Sequence, residues 1–380
     1  MRLIYLSPVP WASFSQRAHH FVNWYHDQTG EPVLWIDPYP TRLPSFSDIR
    51  RRSIVTDQDS VMTPSWLTVC RPRTLPIEPI PGSTLLLKHL WRSVFKQTAG
   101  FCAGAPCMFV VGKPSELALQ LLAQFPDSGA IYDAMDDFPA FYQGISRRSM
   151  ERRQEQLVRR VSRVLVSSTA LHDKLKGMTG DLELARNACD IQSLAPFESL
   201  DLGVKQQVLG YVGTIGQWFD WDLVIALARA NPGNQVRLIG PLFTTMPGAL
   251  PENIELCPEH AHADAIAAMA AFSVGLIPFK LSRLTASVDP IKYYEYRALG
   301  LPVISTRFGE MAHRGQEPGV WVVDQGADLR QTAQEALACR SDLSSIQQFR
   351  QDNLWGTRFS ATQLLRKARS APTLSDLQSQ

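Results

Sequence analysis

Short apolar runs, each followed by a stretch with helical spacing, recur along most of this 380-residue chain. Leu3–Leu6 predicts a first buried strand, then a loop rich in Pro, Trp and Ser, then a helix over Gln16–Asp27. Pro32–Ile36 predicts a second strand. Tyr39–Ser83 carries many prolines and only brief apolar runs and resists assignment, and a helix is expected over Leu85–Lys96. From Cys107 the alternation is regular. Strands are expected at Cys107–Val111, Ala130–Asp133 and Val164–Ser167, with helices at Ser115–Ala123, at the Arg-rich Arg147–Val161, and from Ser168 or Thr169. Strands that alternate with helices indicate a parallel sheet covered on both faces.

The same pattern restarts near Val208. Strands are expected at Leu209–Val212, Val236–Ile239, Val274–Ile277, Pro302–Ser305 and Val320–Val323. Helices are expected at Trp221–Ala230, Ala263–Met269, Ile291–Leu299 and Leu329–Ala338. Ser193–Lys205 has few signals of either kind and reads as a linker. Trp355 and Phe359 stand in a basic helical stretch that runs to Arg369, and side chains of that size need a surface to cover. Ser370–Gln380 reads as a frayed end. The fold class is therefore α/β: two doubly wound, Rossmann-like domains over residues 1–192 and 206–352, with a terminal helix over 353–370. Two such domains make a cleft, a preferred place for a ligand.

Composition narrows the class. Hydrophobic residues make up 45% and charged residues 19%, a globular balance, and the formal charge of +2 lends no support to a nucleic-acid partner. The six cysteines are scattered with no C-x-x-C pair, which points to neither a zinc site nor a disulfide framework and suits a reducing cytoplasm. The opening Met1–Pro8 has a short apolar run ending in prolines, unlike a signal peptide, and no run approaches the roughly 20 apolar residues that cross a bilayer.

Four constellations carry candidate chemistry. The first lies between Gly275 and Thr306. Asp289 precedes Pro290 as an N-cap, the helix opens at Pro290, and Gly300 closes it. A helix start that follows the carboxyl end of a parallel strand suits a diphosphate. Lys292 in the first turn opposes the helix dipole, which makes sense beside a bound anion, and Glu295 one turn on can accept from a ribose diol. The plain alternative is a capping Asp289 and a solvated Glu295. The second is Gly210–Asp220, a strand-to-helix turn with G-x-x-G-x-x-G spacing. That spacing, and the absence of an acidic residue after Val236–Ile239, argue against a dinucleotide enzyme. Trp218 and Phe219 offer the alternative of a packing anchor.

The third constellation, Asp133, Asp136 and Asp137, stands at the end of an expected strand, where one carboxylate can act as a general base or merely cap a helix. The fourth is the loop Ser7–His20, in which Arg17 can hold an anion and His20 can face an acceptor; a helical histidine is also commonly structural. Arginines crowd residues 147–163. Lys88, Arg92 and Lys96 alternate with Leu85, Leu86, Leu87, Leu90, Trp91 and Phe95, a stretch suited to anionic lipid or to a core-facing helix with a solvated edge.

These residues resemble GT-B glycosyltransferases, especially the large retaining group known as glycosyltransferase family four. The likeness covers most of Tyr132–Thr306, with looser support in the first 30 residues. Its most specific part is Leu276-Ile277-Pro278-Phe279-Lys280 followed by Asp289-Pro290-Ile291-Lys292-Tyr293-Tyr294-Glu295-Tyr296 and Gly300-Leu301-Pro302-Val303-Ile304. Arg186-Asn187-Ala188-Cys189-Asp190 resembles that family's N-G-x-D crossover, with Ala188 in place of glycine. The helix near Trp355 resembles the one that returns to the first domain. The resemblance implies an acceptor-binding first domain and a nucleotide-sugar-binding second domain. It implies a donor site of Gly213, Thr214, Lys280, Asp289, Pro290, Lys292, Tyr294 and Glu295, with Glu295 on the ribose. Asp136, then Asp137, is the expected base, with Arg17 and His20 on the acceptor side.

The implied reaction is hexosyl transfer from a nucleoside-diphosphate sugar to a glycan or lipid-linked hydroxyl, in polysaccharide or glycolipid assembly. It implies no cofactor and no obligatory metal, because Lys280, Lys292 and Arg283 can meet the leaving diphosphate. The location expected is cytoplasmic, with peripheral contact at an anionic membrane. Ser287 stands eight positions before Glu295, where many family members carry a second glutamate, so neither retention nor inversion follows. A sugar-nucleotide epimerase or hydrolase, or a non-catalytic sugar-nucleotide or glycan-binding scaffold, would share these features.

Overall fold

The computed structural model describes residues 1–39, 63–74, 87, 89–190, 194 and 207–367. Most of the 39–83 stretch, the expected linker apart from Leu194, Leu85, Leu86 and Lys88, and the tail from Ser370 lie outside the described residues. The chain divides into two compact units. The first comprises Met1–Val166, Leu171–Ala185 and the chain from Trp355, and the second Ser167–Ala170 and Arg186–Leu354.

In the first unit, β1 (Arg2–Leu6), β2 (Val33–Ile36), β3 (Leu67–Cys70), β4 (Cys107–Val111), β5 (Gly129–Ala134), β6 (Arg163–Val166) and β7 (Leu182–Leu184) form one parallel sheet. Its order is β3-β2-β1-β4-β5-β6-β7. Helices α1 (Arg17–Thr29), α2 (Arg92–Cys102), α3 (Glu116–Gln124), α4 (Gly144–Val158) and α5 (Thr169–Leu175) cross between strands. One sheet face packs Ile4, Leu34, Phe109, Val111, Tyr132 and Val164 against Trp91, Leu117, Leu121 and Leu157. Of the apolar positions described just before and within α2, Leu87, Trp91 and Val94 are buried in the core, Phe95 is half-buried and Leu90 is exposed.

The other face shows why the terminal helix returns. Tyr5 stacks on Trp35 at 5.5 Å, and Phe21 of α1 meets Phe359 at 5.0 Å. The Trp24 indole N–H donates to Ser360 at 3.1 Å. Aromatic faces of this size contribute by buried area and by their mutual geometry.

The second unit repeats the architecture. Its strands are β8 (Val208–Val212), β9 (Gln235–Ile239), β10 (Ile254–Cys257), β11 (Val274–Ile277), β12 (Val303–Thr306) and β13 (Val320–Val323). They lie parallel in the order β10-β9-β8-β11-β12-β13. Helices α6 (Trp221–Ala230), α7 (His262–Ala270), α8 (Ile291–Ala298), α9 (Leu329–Ala338) and α10 (Leu343–Asp352) follow, and α11 (Trp355–Ala361) and α12 (Leu364–Lys367) complete the chain. Strand order reverses between β1 and β4 in one sheet and between β8 and β11 in the other, the points at which doubly wound sheets open to ligands.

Candidate active site

The residues expected to meet a donor are set on the loops after β8 and β11 and on the first two turns of α8. The helix begins at Ile291, with Pro290 as an extended N-cap at φ −76 and ψ 122. Pro290 is thus outside the helix, and no side chain caps it. Gly300 closes the helix at φ +72, where a residue with a Cβ is disfavoured.

Asp289 does not cap. Its carboxylate turns inward and accepts from the Asn187 backbone N–H at 2.7 Å, the Tyr294 hydroxyl at 2.9 Å and Arg314 Nη2 at 2.8 Å. The Asn187 amide donates back to the Asp289 carbonyl at 2.7 Å. The Arg314 guanidinium also lies over the Tyr293 ring at 3.8 Å. Burial raises the Asp289 pKa, with Arg314 pulling the other way. On Arg314 burial acts to lower the pKa, and the Asp289 charge reverses this to a net rise. Three donors on one carboxylate fit the ionised pair. Asp289 and Tyr294 therefore form the buried floor that fixes where α8 starts, rather than groups turned toward a ligand. Arg314 was missed in the sequence because nothing in its spacing marks it as the partner of Asp289.

Lys292 and Glu295 are brought together. Lys292 Nζ lies 2.6 Å from Glu295 Oε2, an i,i+3 pair on the first turns of α8. Glu295 is buried and Lys292 half-buried. The carboxylate offsets a cation that the helix dipole disfavours. Lys280, just beyond β11, is exposed, and its backbone N–H donates to the Trp218 carbonyl at 2.7 Å. The Asp220 N–H donates to Pro278 O, also at 2.7 Å, so the glycine-rich loop is laced to the loop after β11. Gly213 has φ +152 and Gly240 φ +142. A Cβ on Gly240 would stand 2.1 Å from the Gly213 carbonyl oxygen, and one on Gly213 would stand 2.9 Å from the Tyr211 hydroxyl, so the first glycine answers to a close backbone and the second to the Tyr211 ring. Thr214 is half-buried and its carbonyl accepts from the Tyr211 hydroxyl at 2.9 Å.

In the first unit the three clustered carboxylates separate. Asp133 is buried, with its carboxylate bound by Arg17 Nη2 at 2.7 Å and by the Tyr5 hydroxyl at 3.0 Å. Arg17, expected to hold an acceptor anion, is 2% exposed and also donates to Ala185 O at 2.7 Å. That reading is corrected: the pairing with Asp133 and the Phe359 ring 5.5 Å away occupy the guanidinium. His20 lies flat on Trp355 at 5.1 Å, with Nε2 3.2 Å from Ser15 Oγ. Asp137 is paired with Lys174 at 2.5 Å.

Asp136 is left. It follows β5, is half-buried, and its carboxylate has no hydrogen-bond partner among the described residues. Burial pushes its pKa up to about 7, with Arg17 acting to lower it and Asp137 to raise it. A carboxylate held near neutrality is suited to take up and release a proton at working pH. Among the described residues no group of three or more His, Cys, Asp or Glu side chains could hold a metal.

Two parallel sheets with this strand order and a chain end that returns to the first unit define the GT-B fold. Solved structures of that fold align along nearly the whole chain. Sucrose-phosphate synthase from Thermosynechococcus elongatus superposes with a TM-score of 0.67 at 15% identity, over 98% of this chain and 100% of that one. An α,α-trehalose-phosphate synthase (UDP-forming) from Burkholderia vietnamiensis gives 0.62 at 12% identity, over 98% and 97%. HepE of Anabaena, in complex with UDP, gives 0.57 at 13% identity, over 97% and 100%. At such identities the likeness is one of fold. A curated relative, named as the teichuronic acid biosynthesis glycosyltransferase TuaH of Bacillus subtilis (strain 168), is 24% identical over 217 residues, 52% of this chain and 54% of that protein. The chain thus spans about half the length of that relative in the match. No family model matches the chain. No described helix is long and apolar enough to cross a membrane.

Proposed function

We propose that the protein is a glycosyltransferase that moves a hexosyl group from a nucleoside-diphosphate sugar to an acceptor hydroxyl, and that it belongs with glycosyltransferase family four. The observation that carries the reading is the Lys292–Glu295 pair, held at the start of α8 by the buried Asp289–Arg314 anchor. A ribose diol donates to Glu295, which frees Lys292 for the diphosphate. The exposed Lys280 and Arg283 and the first N–H groups of α8 stabilise the charge that develops on the leaving diphosphate. Asp136 takes the proton of the acceptor hydroxyl as its oxygen bonds to the anomeric carbon and the bond to the diphosphate oxygen breaks. The UDP bound by HepE and the name of TuaH support this reading, and the name of TuaH favours a role in polysaccharide assembly.

Thermal-shift titration against UDP-, GDP- and ADP-sugars tests it, since a donor that binds the folded state raises the melting temperature. One nucleotide class stabilises the wild type. Glu295→Ala weakens that nucleotide by about 10- to 100-fold, the loss of hydrogen bonds to a charged group. Unchanged affinity in a folded variant refutes the ribose contact. Interconversion of the sugar without transfer refutes the reaction.

A further inference from the structure

The transfer reaction uses none of the arginines of α4. The helix buries Met150, Gln154, Leu157 and Val158 on one face. Its outward stripe is Ile145, Arg148, Arg152, Glu155 and the C-cap Arg159, all exposed and spaced by three, four, three and four residues, which places three arginines and one glutamate in one line along the helix. Arg147 has Glu151 at 2.8 Å, but Arg148, Arg152 and Arg159 have no anionic partner among the described residues.

This arrangement works against the helix. Its first turn holds no acidic residue, and Arg148 and Arg152 are like charges at i,i+4. A dense anionic surface relieves both costs. Large apolar side chains also stand out on the first unit: Ile145 on the stripe is 73% exposed, Phe141 54% and Phe14 67%. Phe141 precedes α4 and Phe14 lies in the loop after β1. The Arg17–Asp133 pair draws the start of α1 to the end of β5, so both loops leave the same edge of the sheet. Protruding apolar tips together with unpaired arginines match the boundary between phosphate headgroups and acyl chains.

We propose that Phe14, Phe141, Ile145 and the Arg148–Arg152–Arg159 stripe dock the first unit on the surface of an anionic bilayer. Docking does not depend on which sugar is transferred, or on transfer itself, so it stands or falls separately from the proposed reaction. The test is co-sedimentation of the full chain with phosphatidylcholine vesicles that contain or lack phosphatidylglycerol. The wild type binds only the anionic vesicles and is released by salt. Arg148→Gln/Arg152→Gln weakens partitioning about 30-fold, from roughly 1 kcal/mol per basic contact. Phe141→Ser/Ile145→Ser also weakens it. Both variants keep the wild-type melting temperature, since the altered side chains are exposed. Equal binding to neutral vesicles, absence of binding, or binding that neither variant alters overturns the proposal. So does a dimer in sedimentation velocity that Phe141→Ser/Ile145→Ser dissolves without any vesicle binding, which assigns the surface to a second copy of the chain.

Discussion

Replacing Asp136 with Asn separates its chemistry from its cost to the fold. Burial raises the carboxyl pKa to about 7, from an ordinary value near 4. The folded chain then holds a proton that the unfolded chain has already lost between those two values. Stability therefore falls as pH rises through that window, and the full cost is present above about pH 7. A shift of about three units corresponds to about 4 kcal/mol; halved for the solvent that reaches a half-buried group, about 2 kcal/mol remains. Asparagine carries no charge and escapes that cost. Arg17 keeps its partner, because it is bound to Asp133. Asp136→Asn should therefore raise the melting temperature by about 4–8 °C at pH 8 and leave it nearly unchanged at pH 4. The wild-type kcat/KM should fall as pH drops below about 7, and the variant should lose at least about 100-fold in transfer at every pH while its nucleotide affinity is kept. Differential scanning calorimetry at the two pH values and a pH–rate profile measure the two effects. Equal melting temperatures at pH 8 refute the buried charge. Full activity, or an unchanged profile in the variant, refutes the base.

Two other changes probe the frame under the donor residues. Arg314→Met leaves the Asp289 carboxylate buried without its cation and should cost about 3–5 kcal/mol in urea denaturation, whereas Arg307→Met, which breaks an exposed pair with Asp324, should leave the urea midpoint nearly unchanged; equal shifts would refute the anchor. Gly240→Ala drives a Cβ toward the Gly213 carbonyl at a φ of +142 and should destabilise by about 1–3 kcal/mol while weakening nucleotide binding, read by denaturation and thermal shift; a neutral change means that the two loops part without penalty.

The parts of the fold that the sequence made legible are those that bury both faces of a strand. β1, β4, β8 and β11 are fully buried or nearly so, and each appears as an unbroken apolar run. The strands that went unread are β3, β7 and β10. β7 has no fully buried residue, and β10 exposes Glu255 and Leu256 and pairs Glu255 with Arg237 at 2.7 Å. All three lie at sheet edges, where one side lacks a neighbour and the hydrophobic pattern fades. The returning helix was legible because Trp355 and Phe359 are too large to leave exposed, and the structure supplies α1 as their cover.

The candidate site was legible in its residue types and not in their directions. A carboxylate before a proline reads as a cap whichever way it points; only the fold brings Arg314, far along the chain, against Asp289 and turns that group inward. The same limit applies to the aspartates after β5. Three carboxylates within five positions look equivalent until partners are assigned. Arg17 and Tyr5 take Asp133, and Lys174 takes Asp137. Those partners lie 37 or more residues away, so no local pattern encodes the sorting. Asp136 stands apart as the carboxylate that no described residue binds by a side-chain hydrogen bond or ion pair, and the Arg17 charge only partly offsets the cost of its burial. A fold that satisfies two neighbours and leaves the third strained gives a physical reason to place proton transfer there, one that the presence of an aspartate alone does not give.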